Sequence, residues 1–76
     1  MLLSKFISKD VVNVSNGEKL GKIRDIEIDD KTGSIEYLIV SNVLPVSNLF
    51  KKNKSTIEFN RIEKIGEAVI LVNVGN

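Results

Sequence analysis

The sequence predicts an all-β domain, a small barrel or rolled sheet. Three observations carry that reading. Apolar residues recur at alternate positions in short runs, the two-residue period of a strand. Clusters of Asn, Asp, Ser and Gly separate these runs at regular intervals, as turns do in all-β chains. Residues 17–40 have the form of a hairpin, two alternating runs joined by Asp29-Asp30-Lys31-Thr32-Gly33.

Along the chain, Leu3, Phe6 and Ile7 have the spacing of one helical turn. A short turn or 3₁₀ piece is expected there, with Ser4 as its cap. Val11 to Val14 is a short β-branched strand, and Ser15-Asn16-Gly17 a turn. Leu20 to Asp29 is the first long strand. Its alternation slips: Ile26 and Ile28 share a face while Ile23 falls on the other. One extra residue near Arg24-Asp25 would turn all three isoleucines inward. That is a β-bulge, which bends a strand as a small barrel requires. The tip, Asp29 to Gly33, suits a type I turn closing on a glycine bulge. Ser34 to Ser41 is the return strand, apolar on both faces in its second half. Such a strand is buried on both sides, within the fold or against another subunit.

Residues 42–54 break the pattern. They hold the only Pro, several turn formers and a Lys pair, yet also Val43, Leu44, Val46, Leu49 and Phe50. A loop of this length in a small domain is often functional. Ser55 to Phe59 is a strand with Ile57 and Phe59 inward. Asn60-Arg61-Ile62-Glu63 has the form of a capping box, so a helical turn ending at Gly66 is expected. Ala68 to Val74 is the last strand, its apolar run marking it as central or paired on both sides. Gly75-Asn76 is a frayed tail.

At 76 residues there is room for one domain, 1–76, which buries only roughly 60–65% of its unfolded surface. Disulfides and zinc help many chains of this size, but this one has neither Cys nor His. Oligomerisation is the remaining aid. The missing cysteines fit a reducing cytoplasm. Lys and Arg number 11 against 10 acids, which gives no general pull toward nucleic acid. No segment approaches the roughly 20 apolar residues of a membrane helix, and the first twelve residues lack a signal-peptide core. A cytoplasmic protein without membrane insertion is expected.

The candidate chemistry is thin. Asp25, Glu27, Asp29 and Glu36 occupy positions 1, 3, 5 and 12 of a twelve-residue frame, as in a calcium loop. Position 6 is Asp30, where that loop needs Gly. Strand spacing would also set these acids about 6–7 Å apart. A solvated strand face is the better reading. Gly17 to Lys22 falls one residue short of a phosphate loop and lacks the following Ser or Thr. Every acid sits at a turn, cap or alternating position, and no His or Cys can serve a nucleophile. No catalytic residue, metal ligand or cofactor is expected. Lys51, Lys52 and Lys54, with Arg61, form a candidate basic patch beside Phe50. Basic residues beside an aromatic suit single-stranded nucleic acid, but the balanced charge argues against that partner. Asn13-Val14-Ser15 and Asn53-Lys54-Ser55 match the glycosylation sequon and mean turn polarity here. The apolar loop residues Leu44, Val46, Leu49 and Phe50 are the strongest functional hint. They either cover an open barrel end or form an interaction surface.

Taken in order, Asn16-Gly17, Leu20-Gly21-Lys22-Ile23-Arg24-Asp25, Ile28-Asp29, Thr32-Gly33-Ser34-Ile35 and Leu38-Ile39-Val40 resemble the PRC-barrel domain. Phe50-Lys51-Lys52, Ile57-Glu58-Phe59, Ile62 to Glu67 and Ile70-Leu71-Val72 are similar to its sporulation-associated YlmC/YmxH branch. The resemblance covers nearly the whole chain. Asn16 stands where the family usually has Asp, Glu58-Phe59 replaces a usual Pro-Trp pair, and Ala68 a usual Asp. The resemblance implies a six-stranded antiparallel β-barrel with one short helical turn. It also implies a non-enzymatic adaptor acting through protein contacts, linked to sporulation or cell division, and often a homodimer. Two alternatives stand beside the adaptor: an RNA- or ribosome-associated module using the basic loop, and a small ligand- or ion-binding barrel.

Overall fold

The computed structural model describes residues 1–41 and 56–75. The chain opens with a one-turn helix, α1 (Leu3–Ile7), followed by β1 (Asp10–Asn13), β2 (Glu18–Ile28) and β3 (Ile35–Ser41). After residues 42–55 come β4 (Thr56–Glu58), a 3₁₀ turn (Phe59–Arg61), β5 (Ile62–Ile65) and β6 (Val69–Val72). The strands form one six-stranded sheet in the order β4-β3-β2-β1-β6-β5.

The sheet is mixed, which corrects the expectation of an antiparallel barrel. β1 runs parallel to β6, while the other four pairs are antiparallel. The reason lies between β4 and β5. Every other link reverses the chain, but the 3₁₀ turn carries it onward in the same direction. The final strand therefore returns parallel to the first. Nor is the sheet closed by a ladder among the described residues: β4 and β5 are its two edges. These edges are consecutive in sequence, so the sheet curls until they meet at the three-residue turn.

The core holds Phe6 from α1 with Val11, Ile23, Leu38, Val40, Ile57, Ile70 and Val72 from the sheet, all buried. Leu20, Ile26, Ile35, Phe59 and Ile62 pack against them, partly buried. Val11, Leu38, Ile70 and Val72 are fully buried. Each such side chain contributes on the order of 1.5–3 kcal/mol by leaving water.

The bulge lies where the phase slip places it. Pairing of β2 with β3 runs Ile23↔Val40 and then Asp25↔Ile39, so Arg24 is the extra residue. The Asp25 carboxylate accepts from the Ile26 N–H at 2.8 Å, which caps the distorted backbone. Ile23 and Ile26 turn inward as expected, but Ile28 does not and is 57% exposed. A second irregularity explains it. Glu27↔Tyr37 is followed by Ile28↔Ile35, so Glu36 is skipped and the ladder loses its inward phase at the hairpin end. A third bulge leaves Leu20 unpaired opposite β1. The next residue, Gly21, has φ +125°, a conformation that side chains rarely adopt.

The hairpin tip is one residue longer than a type I turn with a glycine bulge. Gly33 N–H donates to the Asp29 carbonyl at 2.7 Å, and Asp29 N–H to the Ser34 carbonyl at 2.8 Å. The Asp29 carboxylate accepts from Lys31 N–H at 2.9 Å, and Gly33 takes φ +79°.

Three further expectations are corrected. Ser4 does not cap α1; Leu2 holds that position with no side-chain bond. Asn60 and Glu63 form no capping box. The helical turn lies one step earlier, and residues 62–65 are the strand β5. Its backbone pairs with β6 instead, and the Glu63 carboxylate accepts from Asn73 Nδ2 at 3.1 Å. Gly75 is not frayed either, because the buried Asn13 amide donates to its carbonyl at 2.8 Å. β6 is paired on both sides, with β1 and β5, as its continuous apolar sequence requires.

Candidate functional site

Residues directly opposite in register share one face of a sheet. Across β2, β3 and β4 the row Ile26–Leu38–Ile57 faces the core. The two flanking rows face the other way: Asp25–Ile39–Thr56 and Glu27–Tyr37–Glu58. The outer face thus carries Tyr37 and Ile39, both half-buried, in a setting of carboxylates. The second half of β3 is apolar on both sides, and only one of them meets the core.

Where β3 begins and the 3₁₀ turn follows β4, the surface dips into an open cleft of about 220 Å³. Ile35, Tyr37 and Phe59 supply its apolar lining; Glu36, Glu58 and Asn60 supply its polar groups. The local sequence accounts for this shape. Glu36 is the skipped residue of the second bulge, and the chain leaves β4 at Phe59 to cross between the sheet edges. Bulges and turns at a sheet edge re-aim side chains that a regular ladder would align.

The electrostatics are those of exposed surface groups. Arg61 Nε lies 3.5 Å from Glu58 Oε1, with both side chains more than half exposed. A pair of that kind contributes about 0–1 kcal/mol. At the opposite end of β2, Lys22 Nζ donates to Asp10 Oδ1 at 3.0 Å, and Lys19 Nζ lies 3.5 Å from the same oxygen. The Lys22 hydrogen bond, aided by Lys19, holds the Asp10 carboxyl below the usual aspartate range.

Of the expected site residues, only Arg61 falls within the described structure. Leu44, Val46, Leu49 and Phe50, and Lys51, Lys52 and Lys54, lie outside the described residues. Arg61 is exposed and joined to Glu58. The acids of the calcium-like frame are spread apart. Asp25 and Asp29 accept backbone N–H bonds at the bulge and the turn. Among the described residues no three metal-ligating side chains come together. No described helix is long and apolar enough to cross a membrane.

Sequence reasoning missed Asn13 and Tyr37. Asn13 is 2% exposed. Its Oδ1 accepts from Ser15 N–H, Ser15 Oγ and Val74 N–H at 3.2–3.4 Å, while its Nδ2 donates to the Gly75 carbonyl. An Asn at the end of a β-branched run, two residues before a Ser, was the available signal for an Asx-type turn. Tyr37 could have been singled out as the only tyrosine, lying in a strand with two apolar faces.

The curled six-stranded sheet and the one-turn helix that precedes it define a small β-barrel-like module. A family model for the PRC-barrel domain matches residues 1–76, and the chain belongs to that family. Its similar proteins include probable sporulation protein YlmC of Bacillus subtilis, 48% identical over 95% of this chain and 90% of the relative. An uncharacterized protein of Clostridium acetobutylicum is 40% identical over 91% of this chain and 79% of the relative. The uncharacterized protein YmxH of Bacillus subtilis is 28% identical over 97% and 89%.

Proposed function

We propose that this chain is a non-catalytic PRC-barrel adaptor, working in a sporulation-linked process through contacts with another protein. One observation carries the reading. Tyr37 and Ile39 stand half-buried on the outer face of β3, beside a cleft walled by Ile35 and Phe59. Aromatic and aliphatic groups set among polar neighbours are the composition of an interface centre. Among the described residues β4 and β5 are the sheet edges, the kind of strand to which a partner adds by pairing. The sporulation link is supported by the similar protein YlmC, a probable sporulation protein. A homodimer is one form of this contact, and the small core favours it.

The test is site-specific photo-crosslinking in the native host. A crosslinking phenylalanine analogue at Tyr37 is expected to trap a discrete protein adduct. The same analogue at Asp30, on the hairpin tip, should trap none. Equal or absent adducts at both positions would remove the outer face of β3 as the contact surface. Sedimentation at micromolar concentration then separates self-association from a foreign partner.

A further inference from the structure

We propose that the end of the molecule bearing α1 is an attachment surface for an anionic lipid bilayer, touched without being spanned. Exposure is the first ground. Met1, Leu2 and Leu3 are 77%, 70% and 59% exposed, and Ile7 is 37% exposed. α1 commits only Phe6 to the core. Leu3 and Ile7, four residues apart, lie on one side of the turn, and Met1 and Leu2 lead directly into it. Isolated exposed apolar residues need no explanation, but a cluster of four does.

The surrounding charge selects the occupant. Lys5 is exposed within α1 itself. Lys22 Nζ donates to the Ser8 carbonyl at 3.0 Å, which places its ammonium at the end of the helix, with Lys19 beside it through Asp10. Residues 1–9 contain no acid. The first one, Asp10, is already bridged by two ammonium groups. Glu67 also lies at this end, where its backbone carbonyl accepts from the buried Lys9 ammonium. With Lys9 turned inward, Lys5, Lys19 and Lys22 are the exposed cations at this end, and Asp10 is the acid set among them. The negative charge sits elsewhere, since residues 25–41 hold five acids and one lysine.

An anionic bilayer satisfies both features at once. Acyl chains take up the aliphatic side chains, and headgroup phosphates face the lysines. A nucleic-acid backbone would use the lysines and leave the aliphatic side chains in water. One turn of helix buries less apolar surface than a lipid anchor, and a single myristoyl chain binds only marginally, at about 10⁴ M⁻¹. Attachment is therefore weak, reversible and sensitive to salt.

The test is flotation of the full chain with vesicles of phosphatidylcholine and phosphatidylglycerol, in a ratio of about 7:3. The protein is expected to float with these vesicles and to be released at about 0.5 M salt. Pure phosphatidylcholine should bind it at least roughly tenfold less, since each lysine near an anionic surface is worth about fivefold. Leu2→Ser with Leu3→Ser should reduce partitioning by on the order of tenfold or more. Lys5→Glu should reduce it by roughly fivefold or more. These positions are exposed, and circular dichroism melts verify that each variant stays folded. The proposal is overturned if the anionic vesicles bind nothing, or if the double serine variant floats like the parent. It is equally overturned if the parent is a dimer that ignores vesicles and that the serine variant dissociates.

Discussion

Replacing Asn13 by Ala should loosen the C-terminal end of the molecule and cost a large part of its stability. The side chain is almost fully buried and joins two distant parts of the chain. It donates to the Gly75 carbonyl at 2.8 Å and accepts from Val74 N–H at 3.4 Å, while also holding the turn at Ser15. Each intramolecular hydrogen bond contributes about 1 kcal/mol net, and a buried group left without a partner costs about 1–3 kcal/mol. Val74, Gly75 and Ser15 are exposed, so water re-solvates part of what is lost. The expected cost is about 2–3 kcal/mol, against a total of roughly 4–11 kcal/mol for a chain of this length. The melting temperature should fall by about 8–24 °C. Urea denaturation is the assay, with an unchanged slope showing that the fold itself persists. Amide exchange at Val74 should accelerate beyond the global effect. Asn13→Asp separates hydrogen bonding from packing. It keeps the size and the acceptor contacts but sets a carboxylate oxygen against the Gly75 carbonyl. Burial of that charge raises its folded-state pKa, so the stability of this variant should rise as pH falls through it. A loss below about 0.5 kcal/mol in Asn13→Ala, with unchanged exchange at Val74, would refute the idea that this amide fastens the tail.

Other outcomes follow from the same geometry. Leu38→Ala, at a fully buried position, should cost about 3–5 kcal/mol, whereas Leu38→Met should cost under about 1.5 kcal/mol; urea melts distinguish the two. Gly33→Ala meets no atom within 4 Å but must adopt φ +79°, so its cost should be only the left-handed penalty of roughly 1–2 kcal/mol. Asp10, held below the usual range by Lys22 and then Lys19, contributes stability above the unfolded carboxylate pKa, and loses it as pH falls through the lower folded value. Asp10→Asn should therefore be the less stable protein near neutrality, with the difference vanishing in strong acid. Arg61→Ala breaks only an exposed pair and should change stability by less than about 0.5 kcal/mol.

Local signals were legible in the sequence wherever one residue type dictates one conformation. The slipped isoleucine phase located the bulge at Arg24, and Asp29 with Gly33 located the hairpin tip. The unbroken apolar run at residues 69–72 revealed a strand paired on both sides. Signals that depend on a distant partner were not legible. Asn60 and Glu63 read as a helix cap because the β6 backbone that claims residues 62–65 lies further along the chain. Ile28 read as inward because the skipped Glu36 belongs to the opposite strand. Asn13 read as turn polarity because its partners, Val74 and Gly75, are about sixty residues away. The candidate site was legible only as a surplus of apolar character in β3. Which side of that strand meets the core depends on registers with β2 and β4 that no single segment contains.

The link between β4 and β5 bears most directly on how this small sheet tolerates its edges. A strand edge with unpaired N–H and C=O groups is a hazard for aggregation, and full closure removes it. Here β4 has three residues and β5 four, and no ladder joins them among the described residues. Instead one kinked segment leaves β3, turns through Phe59–Arg61 and joins β6. Both edges are thus parts of a single run of chain, and the Asn73 N–H, just past β6, donates to the Arg61 carbonyl at 3.0 Å. Phe59 packs against the core from within the kink, so the turn is anchored as well as covalently continuous. Phe59→Ala should then do more than remove a partly buried ring. It should free the kink, speed amide exchange in β4 and β5 together, and leave β1 and β2 protected. Acceleration confined to the residues touching the ring would show that the two edges are held independently. The joint release would establish that one aromatic side chain holds the two sheet edges at their shared turn.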